Sequence, residues 1–146
     1  MTSYWDAASV VPLLIPETMS DEMITLFRSE TTVFTWWGTA VECESALARR
    51  AREGLGERIV IAAMARLMDL RATWTEVQPG SDVRESAVRL LWSHPLRAAD
   101  ALQLAAALQA ADGTPQQLAF VSLDARLRLA AEREGLPVIG GPSIDR

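Results

Sequence analysis

The sequence predicts an α/β fold of three layers, α/β/α, in which helices cover both faces of a central, mostly parallel sheet of four or five short strands. Three observations predict it. Short β-branched and aromatic runs alternate along the chain with longer runs of helical periodicity, the pattern of strands joined by crossover helices. Residues 96–108, Leu-Arg-Ala-Ala-Asp-Ala-Leu-Gln-Leu-Ala-Ala-Ala-Leu, are almost wholly apolar, as a helix inside the layers must be. The 146 residues, 49% hydrophobic and 23% charged, are enough to bury a core without staples. One domain over 1–146 is expected, with 140–146 a loose tail and no repeat, low-complexity segment or linker.

Taken in order, residues 2–5 form the first strand and end at Asp6, and residues 7–15 turn into a short buried helix. Asp6 therefore sits at a strand's carboxyl end and also where Asp is a favoured N-cap. Pro16-Glu17-Thr18 breaks the pattern, and Ser20 to Glu30 is a second helix with Met23, Leu26 and Phe27 on its apolar face. Val33 to Trp37 is β-branched and aromatic, hence the second strand, and Gly38-Thr39 turns it into a helix running to Glu53. Gly54 to Ala72 is a further helix with Ile59, Ala62, Ala63, Leu67 and Leu70 at core spacing. Trp74 to Gln78 is a short strand, Pro79-Gly80 a turn, and the helix from Ser81 packs Val83, Ala87, Leu90 and Leu91 inward before stopping near His94-Pro95. The apolar helix follows and is closed by Asp112-Gly113-Thr114-Pro115. Leu118 to Ser122 is a strand with Asp124 just past its carboxyl end, and a helix with Leu127, Leu129 and Ala130 runs to Gly135, a natural stop. Leu136 to Ile139 is the last strand, at an edge because Pro137 lacks the donor a central ladder needs.

Composition excludes several functions. A net charge of −5 argues against a broad basic surface for duplex nucleic acid, though not against a nuclease. All 14 cationic side chains are arginines, with no lysine and no asparagine; a biased genome explains this, and arginine is also the better bidentate phosphate ligand. Cys43 is the single cysteine, so an internal disulfide and a multi-cysteine zinc site are excluded and any metal is held by oxygen. No apolar run is long enough to span a membrane, and the N-terminus lacks a signal-peptide pattern, so a cytoplasmic protein is expected. His94, the only histidine, stands before a proline at a helix end and reads as a C-terminal cation or surface group. There is no glycine-rich phosphate loop, His-Glu-x-x-His pair or nucleophilic triad.

The carboxylates carry the chemistry. Asp100 shares its side of an apolar helix with Gln103, Leu104 and Leu108, where a charge must be paired, hydrogen-bonded, protonated or on a metal; a first-turn Asp favoured by the helix dipole is the plainer account. Asp6 and Asp124 lie beyond the ends of strands, where parallel sheets bind ligands, and Glu42 lies in the first turn of its helix. Glu44 competes with Glu42, but two helical steps separate them by about 200° and only one points at a given site; geometry leaves the choice open. Asp112 lies about 18 Å further along its helix than Asp100 and cannot join it. Arg49, Arg50 and Arg52 read as a solvated face, whereas Arg97, three residues before Asp100, either clamps a phosphate oxygen or pairs with an acid. Converging carboxylates without cations repel, so a site made of Asp6, Glu42, Asp100 and Asp124 calls for Mg²⁺ or Mn²⁺.

Tyr4-Trp5-Asp6-Ala7-Ala8, Ala40-Val41-Glu42, Arg97 to Ala105 and Phe120 to Leu127 together resemble the PIN-domain ribonucleases, and within them the VapC-like toxins of toxin-antitoxin pairs. The resemblance spans the chain and keeps its motifs in order. It implies a PIN-like domain, Mg²⁺- or Mn²⁺-dependent cleavage of single-stranded RNA by Asp6, Glu42, Asp100 and Asp124, and restraint by a small cognate antitoxin; it also prefers Glu42 to Glu44. Ala8 stands where the family usually has Ser or Thr, and Gln103 where many members have His. A homodimer with an apolar groove for the antitoxin is expected from the family and from the five tryptophans, residues enriched at interfaces and equally at home in a core. The competing readings are a PIN-like binding module without activity and another metal-dependent phosphodiesterase, such as a DNA nuclease.

Overall fold

The structure, a computed structural model, describes residues 1–140; beyond Gly140, the tail expected to be loose lies outside them. Its elements run β1 (Thr2–Trp5), α1 (Ala7–Leu14), α2 (Ser20–Ser29), β2 (Thr32–Trp36), α3 (Thr39–Arg52), α4 (Glu57–Arg71), β3 (Thr75–Val77), α5 (Ser81–Ser93), α6 (Ala98–Ala111), a 3₁₀ turn at Pro115–Gln117, β4 (Ala119–Val121), α7 (Ala125–Arg133) and β5 (Val138–Ile139). The five strands pair in the order β3-β2-β1-β4-β5, all parallel. Every carboxyl end therefore lies on one edge of the sheet. Chain order runs outward from β1 to β2 and β3 on one side and through β4 to β5 on the other, so β1 and β4 flank the point where a parallel sheet opens a crevice for ligands.

Side-chain alternation on the central strands separates two cores. Tyr4, Trp36 and Phe120 join Val83, Leu90, Leu104 and Leu127 under α5, α6 and α7. Trp5, Val33 and Val121 join Leu14, Met23, Leu47 and Leu67 under α1 to α4. Tyr4 and Phe120, paired in register across β1 and β4, stack with ring centroids 5.4 Å apart. The middle strand is apolar on both faces because both faces are covered.

α6 is the helix buried on the most sides. Ala101, Gln103, Leu104, Ala105, Ala106, Ala107 and Ala111 are all buried, and the helix packs against α5, α7, β2 and β3. A run of alanines lets α6 approach its neighbours closely, and it supplies few large side chains of its own.

β3, β4 and β5 are shorter than the runs that announce them. β2 starts one residue earlier than expected and ends at Trp36, although the Trp37 N–H still bonds the Val77 carbonyl at 3.0 Å. α4 begins only at Glu57, because Gly54 takes a left-handed turn with φ 101°. On α4 only Ala63 and Leu67 are buried, while Ile59 is 42% exposed and Ala62 is exposed. The helix packs on α1 and α3, and that contact needs only a narrow stripe. Leu91 is likewise largely exposed, since it lies one helical step, about 100°, past the buried Leu90. Among the described residues no helix is long and apolar enough to cross a membrane.

Leu104 is fully buried at the centre of the α5–α7 side. Leu104→Ala is expected to lower the unfolding free energy by about 2–5 kcal/mol through lost burial and a residual cavity, read as a drop in the urea midpoint. Ala106→Leu, which overfills a fully buried position, is expected to lose about 1–3 kcal/mol in the same assay.

Candidate functional site

The site is built at the crevice between β1 and β4. Asp6 follows β1, is 2% exposed and caps α1, its Oδ1 accepting the Ser9 N–H at 2.9 Å. Its Oδ2 accepts the Ser122 hydroxyl at 2.5 Å. Ser122 follows β4, and its Oγ also accepts the Asp124 N–H at 3.0 Å, so one hydroxyl aligns two acids. Ser122 was not among the residues singled out from sequence; the only signal was a hydroxyl ending an apolar strand two residues before an acid. The Ser9 hydroxyl, next to Ala8, does not replace the one missing there: it bonds the Asp6 and Val121 backbone carbonyls at 2.9 and 3.0 Å. Gly140 closes the floor: its φ is 118°, and a Cβ there would collide with the Ser122 carbonyl oxygen.

Asp124 caps α7, with Oδ1 accepting the Leu127 N–H at 3.0 Å. Glu42 comes from the first turn of α3 and accepts a 2.5 Å hydrogen bond from Gln103 of α6. Glu44 is exposed, so of the two glutamates it is Glu42 that faces the other acids. Asp100, in the first turn of α6, lines an open cleft of about 660 Å³ with Asp124, Arg97 and Arg126. Arg126 is a second cation that sequence reasoning missed, hidden in the helical periodicity of α7.

Charge couples the four acids in a ring. Burial pushes the Asp6 carboxyl up to about 6, against the bonds from Ser122 and Ser9 and with a further push from Asp124. Burial also raises Glu42, which Gln103 lowers and the charges of Asp6 and Asp100 raise. Asp100 is raised by burial and by Asp124, and pulled back by the Arg97 backbone and by the guanidinium groups of Arg97 and Arg126. Four elements thus deliver four mutually repelling carboxylates to one edge.

The donor set is oxygen alone and carries excess negative charge, which suits a hard divalent cation. Every hydrogen-bonded carboxylate oxygen keeps a second lone pair for it. Among the described residues no three acid, His or Cys side chains stand close enough together to hold an ion as they are. Binding would therefore have to draw the acids inward against their mutual repulsion. On donor type and charge the residues fit such an ion.

The remaining candidates lie elsewhere. His94 is tucked in rather than on the surface, its Nε2 3.6 Å from Glu134, which also holds Arg89 at 2.6 Å, at the far end of α7 from Asp124. Arg50 pairs with Glu17 at 2.7 Å and Arg49 approaches Glu53 at 3.9 Å, as a solvated face does. Trp5, Trp36 and Trp74 are core; only Trp37 and Trp92, 53% and 89% exposed, are open to a partner. The largely apolar groove between α1, α2 and α4 contains no tryptophan, being lined by Leu13, Ile15, Ile24, Phe27 and Leu70 beside Arg28 and Arg66.

A parallel sheet in this strand order, helix-covered on both faces and gathering four acids at its crevice, defines a PIN-like α/β domain. No family model matches the chain, and no curated protein matches it in sequence. Solved structures do match its fold. VapC20 of Mycobacterium tuberculosis, a sarcin-ricin loop cleaving toxin, is similar over 89% of this chain and 95% of its own, with 20% identity and a TM-score of 0.66. FitAcB of Neisseria gonorrhoeae is similar over 96% of this chain and 97% of its own, with 16% identity and a TM-score of 0.67. PAE2754 of Pyrobaculum aerophilum is similar over 94% and 83%, with 20% identity and a TM-score of 0.63. The resemblance to VapC-like proteins carried by the sequence motifs thus has its counterpart in the fold.

The raised Asp6 pKa makes stability depend on pH. Between the ordinary carboxylate value of 3.8 and about 6 the folded state holds a proton that the unfolded chain releases, so stability falls as pH rises through that window. In chelator, the unfolding free energy of wild type relative to Asp6→Asn is expected to improve by about 2 kcal/mol from pH 7 to pH 4. Parallel pH profiles for the two proteins in urea titrations would show that Asp6 does not titrate there.

Proposed function

We propose that the protein is a Mg²⁺- or Mn²⁺-dependent endoribonuclease that cleaves single-stranded RNA and acts in the cytoplasm as the toxin of a toxin-antitoxin pair. The observation that carries this reading is that Asp6, Glu42, Asp100 and Asp124, from four separate elements, lie close enough to act on one another's charge, with Asp100 and Asp124 lining a cleft that Arg97 and Arg126 share. Asp6, Glu42, Asp100 and Asp124 would hold the cation. When bound, it supplies Lewis acidity and neutralises charge on the phosphodiester. Asp6 is the fixed point, held at both oxygens by Ser9 and Ser122. Arg97 and Arg126 lie at the cleft with no carboxylate within ion-pair distance among the described residues. They are placed to take phosphate oxygens in the two-pronged geometry that guanidinium favours. The fold shared with VapC20, whose described action is cleavage of the sarcin-ricin loop, supports RNA as the substrate class.

For the antitoxin, the groove between α1, α2 and α4, about 430 Å³ and largely apolar, suits an apolar segment of a small protein. The homodimer in this proposal rests on Trp37 and Trp92, which remain open on the surface.

Cleavage of single-stranded RNA is expected to require Mg²⁺ or Mn²⁺ and to fall by orders of magnitude in chelator, in Asp6→Asn and in Asp100→Asn. Glu42→Gln should be severe and Glu44→Gln mild. Undiminished cutting in excess chelator overturns the reading, and the opposite ranking of the two glutamates overturns the choice of Glu42. In an Asp100→Asn background, Arg97→Ala and Arg126→Ala should each weaken RNA binding in fluorescence anisotropy. Each should also flatten the slope of log affinity against log salt by about 0.7, the loss of one phosphate contact on a single strand. Unchanged salt slopes would remove both arginines from the RNA path.

A further inference from the structure

We propose that Gln103 is a positioning residue for Glu42, and that a buried relay through Tyr4, Gln103 and Thr39 sets how well Glu42 serves the cation site. This rests on the reading of Glu42 as one of the acids that hold the cation. Gln103 is 2% exposed in an almost wholly apolar helix, where an amide with open valences is strongly unfavourable. None is open. The Tyr4 hydroxyl donates to Oε1 at 2.5 Å, and Nε2 donates to Thr39 Oγ1 at 3.0 Å and to Glu42 Oε2 at 2.5 Å. Thr39 Oγ1 is itself pinned to the end of β2, where it accepts the Trp36 N–H at 3.2 Å.

The direction of the amide follows from its partners. A phenol is protonated at neutral pH, so Tyr4 donates and must meet the amide oxygen. An ionised carboxylate only accepts, so it must meet the amide nitrogen. The reversed amide would place oxygen against carboxylate, and one orientation survives.

What the relay accomplishes is seen by comparing the acids. Asp6 is held by two hydrogen bonds and Asp124 by the first turn of α7. Glu42 has a longer, more flexible side chain and caps nothing; among the described residues Gln103 is its carboxylate's only hydrogen-bond partner. A core role alone would need only Tyr4 and Thr39. Gln103 instead directs its second N–H to a carboxylate that is only partly buried. That bond fixes Oε2 and leaves Oε1 free. It also leans on β1, the strand that delivers Asp6, so the two acids share one reference frame.

The test is a double-mutant cycle read by Mn²⁺ itself. Free Mn²⁺ is followed by its electron paramagnetic resonance signal in titrations of wild type, Gln103→Met, Glu42→Gln and the double variant, with melting in chelator recorded for each. Gln103→Met is expected to weaken Mn²⁺ binding about 10- to 100-fold, the range for partners that orient metal ligands. The double variant should bind no more weakly than Glu42→Gln alone, because a residue acting only through Glu42 has nothing left to position. Wild-type affinity in Gln103→Met, or an effect that adds in full to that of Glu42→Gln, overturns the inference while leaving the cation site standing. Unchanged affinity in Glu42→Gln overturns the placing of Glu42 in that site and this inference with it. Tyr4→Phe, which removes one oxygen and keeps the ring, provides the same measurement if Gln103→Met does not fold. A smaller loss of Mn²⁺ affinity is expected there, and none would overturn the relay.

Discussion

Asp6 carries a carboxylate taken almost wholly out of water at the middle of a parallel sheet, and much of the surrounding structure exists to make that tolerable. An isolated buried charge is far too unfavourable to persist unless it is hydrogen-bonded or titrates. Asp6 does both, since bonds from Ser9 and Ser122 pull its pKa down and burial still leaves it near 6. Those bonds require β4 to lie directly beside β1, because Ser122 enters only from the end of β4. They also require α1 to start at once after β1, because the Ser9 amide belongs to its first turn. Strand order and helix entry are thus coupled to one side chain.

α6 is the second dependence. It brings Asp100 to the crevice at its N-terminal end and Gln103 to Glu42 one turn later, so the spacing of two polar residues on an apolar helix locates half of the site. The alanines around them let the helix approach closely enough for Gln103 to reach both Tyr4 and Thr39. Larger residues would push α6 away from the sheet and strain core and relay together. Packing and site geometry are therefore one constraint along this helix.

How much of this was legible in the sequence follows the same physics. Strand and helix alternation, the parallel sheet, the edge position of β5 and the placement of Asp6 and Asp124 past strand ends are all periodicity and turn chemistry, which are local. The convergence of Glu42 with Asp6 and Asp100 is not local. Spacing alone left Glu42 and Glu44 level, and only the family motif preferred the first. Burial errors arose where a helix lies outside the first layer, as with Ile59 on α4, because hydrophobic spacing reports that one face is buried but not how wide the contact is. Ser122, Arg126 and the role of Gln103 were missed for a further reason: each acts through a partner distant in sequence, on another element. His94 was misplaced because its partner, Glu134, is also distant in the chain.

The charge balance narrows how such a site can take a polyanion. With a net charge of −5 and four acids at its centre, the chain gains nothing from long-range attraction, which rewards broad basic surfaces. Under the proposed function, attraction has to be assembled within a few ångströms, from a cation among the acids and from Arg97 and Arg126 beside them. The two arginines also act before substrate arrives, since their charges offset part of the repulsion that Asp124 exerts on Asp100. An arginine committed to a tight ion pair with Asp100 would relieve that repulsion more fully, yet it would be less free to meet phosphate. With both guanidinium groups near the acids but, among the described residues, out of ion-pair contact, part of the repulsion among the carboxylates is left for a cation to relieve under the proposed function.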